Sequence, residues 1–242
     1  MDTTVAARPA RARLAPWAHD ARTAHLVLLD HQMVPDQADV AGWIAAARAD
    51  GARAMRTGAL FPPATSAFVD AGFRVAETLT LLTRTLTARP TDAGLPGADR
   101  AGAHRTRKLR RHQLDDAARV DAASFAGTWS NDAEALADIM AATPKHRARV
   151  IRLDGGIVGF AISGLAARTG YLQRLAVTPA RQRHGLARAL VADSLAWMRR
   201  HGAELAMVNT ASDNDAALSL YRSFGFVEQP QPLLILEREL DT

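Results

Sequence analysis

Short apolar runs bounded by turn residues alternate with stretches in which apolar residues return every three or four positions, so the chain predicts strands interleaved with helices. His25–Asp30 (HLVLLD) reads as a buried strand. Pro35 and Asp36 open a helix with Val40, Trp43, Ile44 and Ala47 on one face, closed by Gly51. A strand around Ala52–Met55, a helix over Pro63–Asp70 ending at Ala71-Gly72-Phe73, and a strand over Thr78–Leu86 complete a first unit. Ala88–Ala103 is rich in Pro, Gly and Asp and has no periodicity. The boundaries expected are therefore a first unit over 1–90, a linker over 91–103 and a second unit over 104–242.

The second unit begins with a basic strand near Arg105–Arg110 and a helix with Leu114, Ala117, Ala118 and Ala122 on one face. The loop Phe125–Asn131 (FAGTWSN) leads into a helix that Ser130 or Asn131 can cap, with Glu134 in its first turn. Arg147–Leu153 and Ile157–Gly164 read as a hairpin around Asp154-Gly155-Gly156. A strand over Gly170–Val177 is followed by a helix running to His201, with Leu186, Leu190, Val191, Leu195 and Met198 buried and Gly202 as its stop. A strand at Leu205–Asn209, a helix over Asn214–Phe224 and a strand at Leu233–Glu239 end the chain. The fold class predicted is α/β (α+β).

Composition changes this picture little. The 242 residues are 48% apolar, enough for a core, and carry a net charge of +5. Lys108 and Lys145 are the only lysines; the arginines are scattered and accompany no nucleic-acid-reading motif, so no nucleic-acid partner is expected. The absence of cysteine excludes disulfides and a thiol nucleophile. No apolar run approaches the roughly 18 residues of a membrane span, and Met1–Arg22 has no apolar signal core. That segment reads as a loose arm, and the expectation is a cytoplasmic protein without a membrane partner. The histidines show no metal-ligand spacing, so no metal is expected.

The stretch Tyr171–Val191 (YLQRLAVTPARQRHGLARALV) carries the candidate chemistry. It reads as strand, basic turn and helix start, and Gln182, Gly185 and Ala187 fit Q/R-x-x-G-x-G/A. Small residues at Gly185 and Ala187 let an anion reach the main chain, where unpaired amides and the helix dipole favour phosphate oxygens. Arg181, Arg183 and Arg188 add positive charge. A second motif, Asn214–Phe226 (NDAALSLYRSFGF), sets Asn214 and Tyr221 about two turns apart on one side of a helix ended by Gly225.

Together, and in this order, the two motifs resemble the GNAT superfamily of N-acetyltransferases over roughly Arg105–Leu240. The resemblance implies a mixed, largely antiparallel sheet splayed at an acetyl-CoA site. The main chain of Leu175 and Val177 would bond the pantetheine amides. Gln182, Arg183, His184, Gly185, Leu186, Ala187 and Arg188 would line the pyrophosphate site, Asn214 would touch the pantetheine arm, and Tyr221 would be the acid facing the thioester sulfur. One departure stands out. Many relatives place a glutamate on or beside the central strand as general base, whereas Tyr171–Val177 offers only Gln173 and Arg174, and the next strand ends in Asn209. Asp132 and Glu134 read as helix N-terminal charge, so the base is unassigned. Phe125, Trp129, Gln173 and Asn209 are the candidate substrate residues.

The first unit repeats the second in degraded form. Gly51–Phe73 aligns with Gly202–Phe226, and TLLTRTL at Thr80–Leu86 with LILEREL at Leu234–Leu240. Phe68 stands where Tyr221 stands, Phe61 for Asn214, Val34 for Gly185 and Asp36 for Ala187. The first unit thus looks like a half-GNAT α/β unit that neither binds CoA nor donates a proton, and walls the substrate cleft instead. The activity expected is direct acetyl transfer to a primary amine of low pKa, such as a protein or peptide N-terminus. FAGTWS resembles the loop of bacterial ribosomal-protein N-terminal acetyltransferases. The degenerate copy resembles the tandem arrangement of mycothiol synthase, which makes a small-molecule amine the alternative; a non-catalytic acyl-CoA-binding regulatory module is the alternative of another class.

Overall fold

The structure, a computed structural model, describes residues 10–17, 20–29, 33–86, 104–125 and 129–240. The linker expected over 91–103 and the loop residues 126–128 lie outside them. Two compact units emerge, and neither is a continuous stretch of chain. The first comprises Met1–Leu81, Asn209–Asn214 and Gln229–Thr242; the second comprises Leu82–Val208 and Asp215–Glu228.

In the first unit, β1 (Ala12–Trp17) pairs antiparallel with β2 (Asp20–Leu28), which runs parallel to β3 (Ala54–Thr57). The C-terminal strand, β11 (Leu233–Glu239), pairs antiparallel with β3 and with β4 (Arg74–Thr85). Helices α1 (Gln37–Ala49) and α2 (Ser66–Asp70) bury Val40, Ile44, Ala47 and Phe68 against Leu26, Leu28, Met55 and Leu236. The loose arm expected over Met1–Arg22 is overturned where it is described, because Ala12–Trp17 is the strand β1. Exposed Arg11 and Arg13 alternate there with half-buried Ala12 and Leu14. That is a strand's period of two with alanine on the inward side. The helix expected over 63–70 is a 3-10 turn, Pro62–Ala64, before a short α2, since proline is tolerated only in a first turn.

In the second unit, β5 (Arg107–Lys108), β6 (Lys145–Leu153), β7 (Gly156–Ala166) and β8 (Thr169–Val177) form an antiparallel meander. β5 is shorter than the strand expected over 105–110. β8 then pairs parallel with β9 (Leu205–Ala211), from Thr169–Leu205 to Tyr171–Met207. The sheet is therefore mixed and mostly antiparallel. One face is covered by α3 (Leu114–Ser124) and α4 (Ala133–Ala141), around Leu114, Ala117, Val120, Leu136, Phe160 and Ile162. The other is covered by α5 (Leu186–Arg200), through Leu190, Val191, Leu195 and Met198, and by α6 (Asp215–Ser223), through Leu218 and Tyr221. Asp193 of α5 accepts from Arg147 Nε at 2.7 Å and Thr106 Oγ1 at 2.5 Å, which fixes the helix to the sheet edge. β10 (Val227–Glu228) pairs with Leu82 and Thr83. Among the described residues, no helix is long and apolar enough to cross a membrane.

Two expectations for α3 and α4 are corrected. Ala122 is exposed, and Val120 and Asp121 take the buried face instead. The cap of α4 is Asp132, whose side chain accepts from Ala135 N, rather than Ser130 or Asn131.

Local geometry repeats between the units. α1 and α5 both close on a left-handed glycine, Gly51 (φ 82) and Gly202 (φ 83), followed by Ala52 N–H to Ala47 and Ala203 N–H to Met198, each 3.0 Å. α2 and α6 close on Gly72 (φ 84) and Gly225 (φ 76), followed by Phe73 N–H to Phe68 and Phe226 N–H to Tyr221. These are Schellman-type closures, and their recurrence in order is consistent with a degenerate tandem repeat.

Candidate active site

The start of α5 is built to leave amides open. Gly185 is its N-cap at φ 83, a left-handed conformation that glycine adopts without strain, and no side chain caps the helix. Ala189 N–H to Gly185 O, at 3.0 Å, is the bond of the first turn, so Leu186 and Ala187 present amides outside the helical ladder. A Cβ placed on Gly185 would meet only the His104 ring, at 3.9 Å or more. The turn before it holds its own shape: Arg183 has φ 65, His184 Nδ1 lies 2.7 Å from Gln182 O, and His104 Nε2 lies 2.8 Å from His184 O. Arg183 and His184 are exposed at the rim. Arg188 bonds Ser223 Oγ at 3.0 Å and lies over Phe224, and exposed Arg181 pairs with Asp154.

The start of α1 has the opposite character. Asp36 caps it and Asp39 completes a capping box, and Asp39 also accepts from Ala10 N at 3.2 Å. Two carboxylates thus stand at the start of α1, where α5 has no side-chain cap.

β8 supplies the second feature. Its register with β9 ends at Tyr171–Met207, and its register with β7 slips between Ile162–Arg174 and Ser163–Leu172, so Gln173 is a bulge. Thr178 N–H bonds Val158 O at 2.9 Å, which makes Gly159–Val177 a non-hydrogen-bonded pair. By alternation, the N–H and C=O groups of Leu175 and Val177 point away from β7. The Val177 carbonyl already accepts from Ser124 Oγ at 3.0 Å and Gln182 Nε2 at 3.1 Å, leaving its N–H for a ligand. The Gln173 Oε1 is buried without a hydrogen-bond partner, and a Cβ at Gly164 would stand 2.7 Å from it.

Next to the bulge, Arg174 meets Asp121 of α3, whose carboxylate is 0% exposed. Arg174 Nε donates to Asp121 Oδ2 at 2.6 Å and Nη2 to Oδ1 at 2.7 Å. Nη2 also donates to Trp129 O at 2.5 Å, and the guanidinium lies 3.6 Å over the Phe125 ring. Asp121 Oδ1 accepts the Asn131 N–H at 2.6 Å. With the Asn131 amide turned to satisfy both groups, its oxygen accepts from Arg174 Nη2 at 3.0 Å.

Tyr221, 5% exposed, sits in the α5–α6 layer, its ring 5.9 Å from that of Phe226. Burial pushes its hydroxyl well above the ordinary phenol range, and the Arg174 charge opposes that rise. The hydroxyl is therefore protonated at any physiological pH.

Residues 114–226, just under half of the chain, match the Acetyltransferase (GNAT) family. Most of the matched residues lie in the second unit. A tandem GNAT protein of the clavulanic acid biosynthesis pathway, without AcCoA, superposes over 97% of this chain and 80% of its own, with a TM-score of 0.66 at 18% identity. A GCN5-related N-acetyltransferase from Sphaerobacter thermophilus covers 96% of this chain and 77% of its own, with a TM-score of 0.60 at 15% identity. One from Kribbella flavida covers 90% and 82%, with 0.57 at 16%. At such identities the likeness is one of fold. No curated protein sequence matches the chain.

Within the second unit, the structure brings together Phe125, Trp129, Gln173, Leu175, Val177 and the Gln182–Arg188 turn on β8 and the elements packed against it. Asn209 is exposed and Asn214 half-buried, and both belong to the first unit. Sequence reasoning passed over Asp121. The signal was there, since Leu114, Ala117 and Asp121 fall at i, i+3 and i+7, and an acid on an apolar stripe requires a partner.

Proposed function

We propose that the protein is an acetyl-CoA-dependent N-acetyltransferase with one working site, in the GNAT domain, acting on a primary amine of low pKa such as a protein or peptide N-terminus. The observation that carries this reading is the uncapped start of α5 beside main-chain groups of β8 directed away from β7. The arrangement fits a phosphate ester joined to an extended amide-bearing arm. The Gly185–Arg188 turn would take the pyrophosphate, and the Leu175 and Val177 main chain, past the last β8–β9 pair at Tyr171–Met207, would take the arm. Acetyl-CoA supplies the activated acetyl group.

The acid is Tyr221. It holds its proton until a thiolate forms and then gives it to a sulfur whose ordinary pKa is near 8.5. Burial raises that thiol's pKa as well, which narrows the mismatch between donor and acceptor.

The amine follows from the carboxylates. Asp121 has both oxygens engaged by Arg174, and Asp132 caps α4, so neither is poised to take a proton from an ammonium. An α-amino group, with a pKa near 7.7–8.0, is neutral in on the order of a tenth of molecules at pH 7. A lysine near 10.4 needs about 3 kcal/mol more to lose its proton. A site that relies on water and Gln173 favours the former. The fold likeness to a tandem GNAT from a small-molecule pathway favours a second reading, a small amine with electron-withdrawing neighbours. Thiol release from acetyl-CoA with free-N-terminus peptides, N-blocked lysine peptides and small amines decides among them. Preference for the blocked lysine peptide contradicts the low-pKa reading.

A further inference from the structure

We infer that the buried Asp121–Arg174 pair is a positioning device that fixes Phe125, Trp129 and Asn131 beside the β8 bulge and so determines how tightly the acceptor amine is held. The inference rests on the acetyltransferase reading above and gives Asp121 and Arg174 a positioning role that reading does not assign.

Stability alone is a poor reason for such a pair. Replacing a buried ion pair by well-packed apolar side chains is often neutral or stabilising, by about 1–4 kcal/mol, whereas removing one partner leaves a costly unpaired charge. The geometry supplies another reason, because the remaining bonds of the pair converge on the ends of one segment. The guanidinium covers the Phe125 ring and donates to the Trp129 carbonyl, and the carboxylate accepts the Asn131 amide. Ser124, just before Phe125, is fixed in the same place through its hydroxyl, which donates to Val120 O at 2.7 Å and Val177 O at 3.0 Å. The end of α3, the aromatic residues after it and the central strand are thus joined at one guanidinium.

Its position on β8 gives the junction a function. Arg174 follows Gln173, whose buried oxygen has no hydrogen-bond partner and is available to an N–H of the amine. The residues flanking the acceptor are therefore registered to one side chain. Asp121 and Arg174 are positioning residues, since they act through Phe125, Trp129, Asn131 and Gln173.

The test compares the full-length protein with Asp121→Asn and with the double variant Asp121→Leu/Arg174→Met. The single variant leaves a buried guanidinium without its counter-charge and can fail to fold; the double variant removes both charges at similar volume. Acetyl-CoA is titrated calorimetrically, and turnover is followed with a free-N-terminus alanyl peptide. The double variant is expected to melt at or above the wild-type temperature and to bind acetyl-CoA within about threefold of wild type. Its KM for the peptide rises at least about tenfold, kcat falls less than about threefold, and the Asn131 amide exchanges hydrogen at least about tenfold faster. A folded double variant with peptide KM and Asn131 exchange both within threefold of wild type overturns the inference while leaving the acetyltransferase reading intact. A wild-type protein that binds no acetyl-CoA overturns both.

Discussion

Phe226 donates its backbone N–H to the Tyr221 carbonyl at 3.2 Å, and the two rings lie 5.9 Å apart and inclined by 60°. The closure of α6 thus orients the side chain proposed as the acid. The ring is part of the core, and desolvation of the hydroxyl disfavours its ionised form. Tyr221→Phe is therefore expected to keep or slightly raise the melting temperature, since it removes a desolvated hydroxyl and no packing. Turnover at saturating acetyl-CoA and amine should fall by about 10²–10⁴-fold, the usual span of general acid catalysis. A change in kcat below about threefold would assign the proton to water or another group.

The start of α1 makes a separate prediction. Asp36 and Asp39 cap each other's amides there, where α5 has no side-chain cap. Asp36→Ala should lower stability by about 1 kcal/mol, the typical worth of an N-cap. Acetyl-CoA affinity should stay within twofold, because the proposed site lies at the start of α5. A loss of affinity in this variant would mean that the first unit takes part in binding.

The first unit also predicts a response to acid. His25 on β2 is desolvated by burial and faces the charges of Arg56 and Arg13, so its pKa lies below the ordinary value of 6.5. The imidazole is then neutral in the folded state at a pH where the unfolded chain binds a proton. Stability is fully present above about pH 6.5 and declines as pH falls below it, because the unfolded state binds more protons there. His25→Gln should flatten that decline in denaturant melts between pH 7 and 5. An unchanged slope would place the acid sensitivity in other groups.

Much of this was legible in the sequence, for reasons particular to each element. α5 and α6 announce themselves by apolar spacing and by Gly202 and Gly225, which must take positive φ to close them. The turn before α5 could be read because a left-handed N-cap favours glycine, here Gly185 at φ 83. β1 could not, since its inward positions are alanine and leucine between arginines and its partner, β2, is fixed only by pairing. The place of β11 was equally hidden: it inserts between β3 and β4, pairs distant in sequence that no local pattern encodes. Asp121 was missed because its charge argued for solvent, and its partner lies 53 residues away on β8. The carbonyl of Val177 is engaged by Ser124 and Gln182, a detail that depends on side-chain reach across three elements.

The proposed acetyl-CoA site turns on Gly185, and the most direct measurement is calorimetric titration of acetyl-CoA into wild-type protein, Gly185→Ala and Gly185→Glu. The wild type should bind one molecule per chain. At Gly185→Ala a Cβ has room, with nothing nearer than 3.9 Å, but φ 83 strains an L residue by about 1–2 kcal/mol, so stability falls and binding weakens only modestly. At Gly185→Glu a carboxylate stands beside the amides meant for phosphate, and binding should be lost while the melting temperature matches that of Gly185→Ala. Two equivalent sites per chain, or Gly185→Glu binding acetyl-CoA as tightly as wild type, would contradict the account.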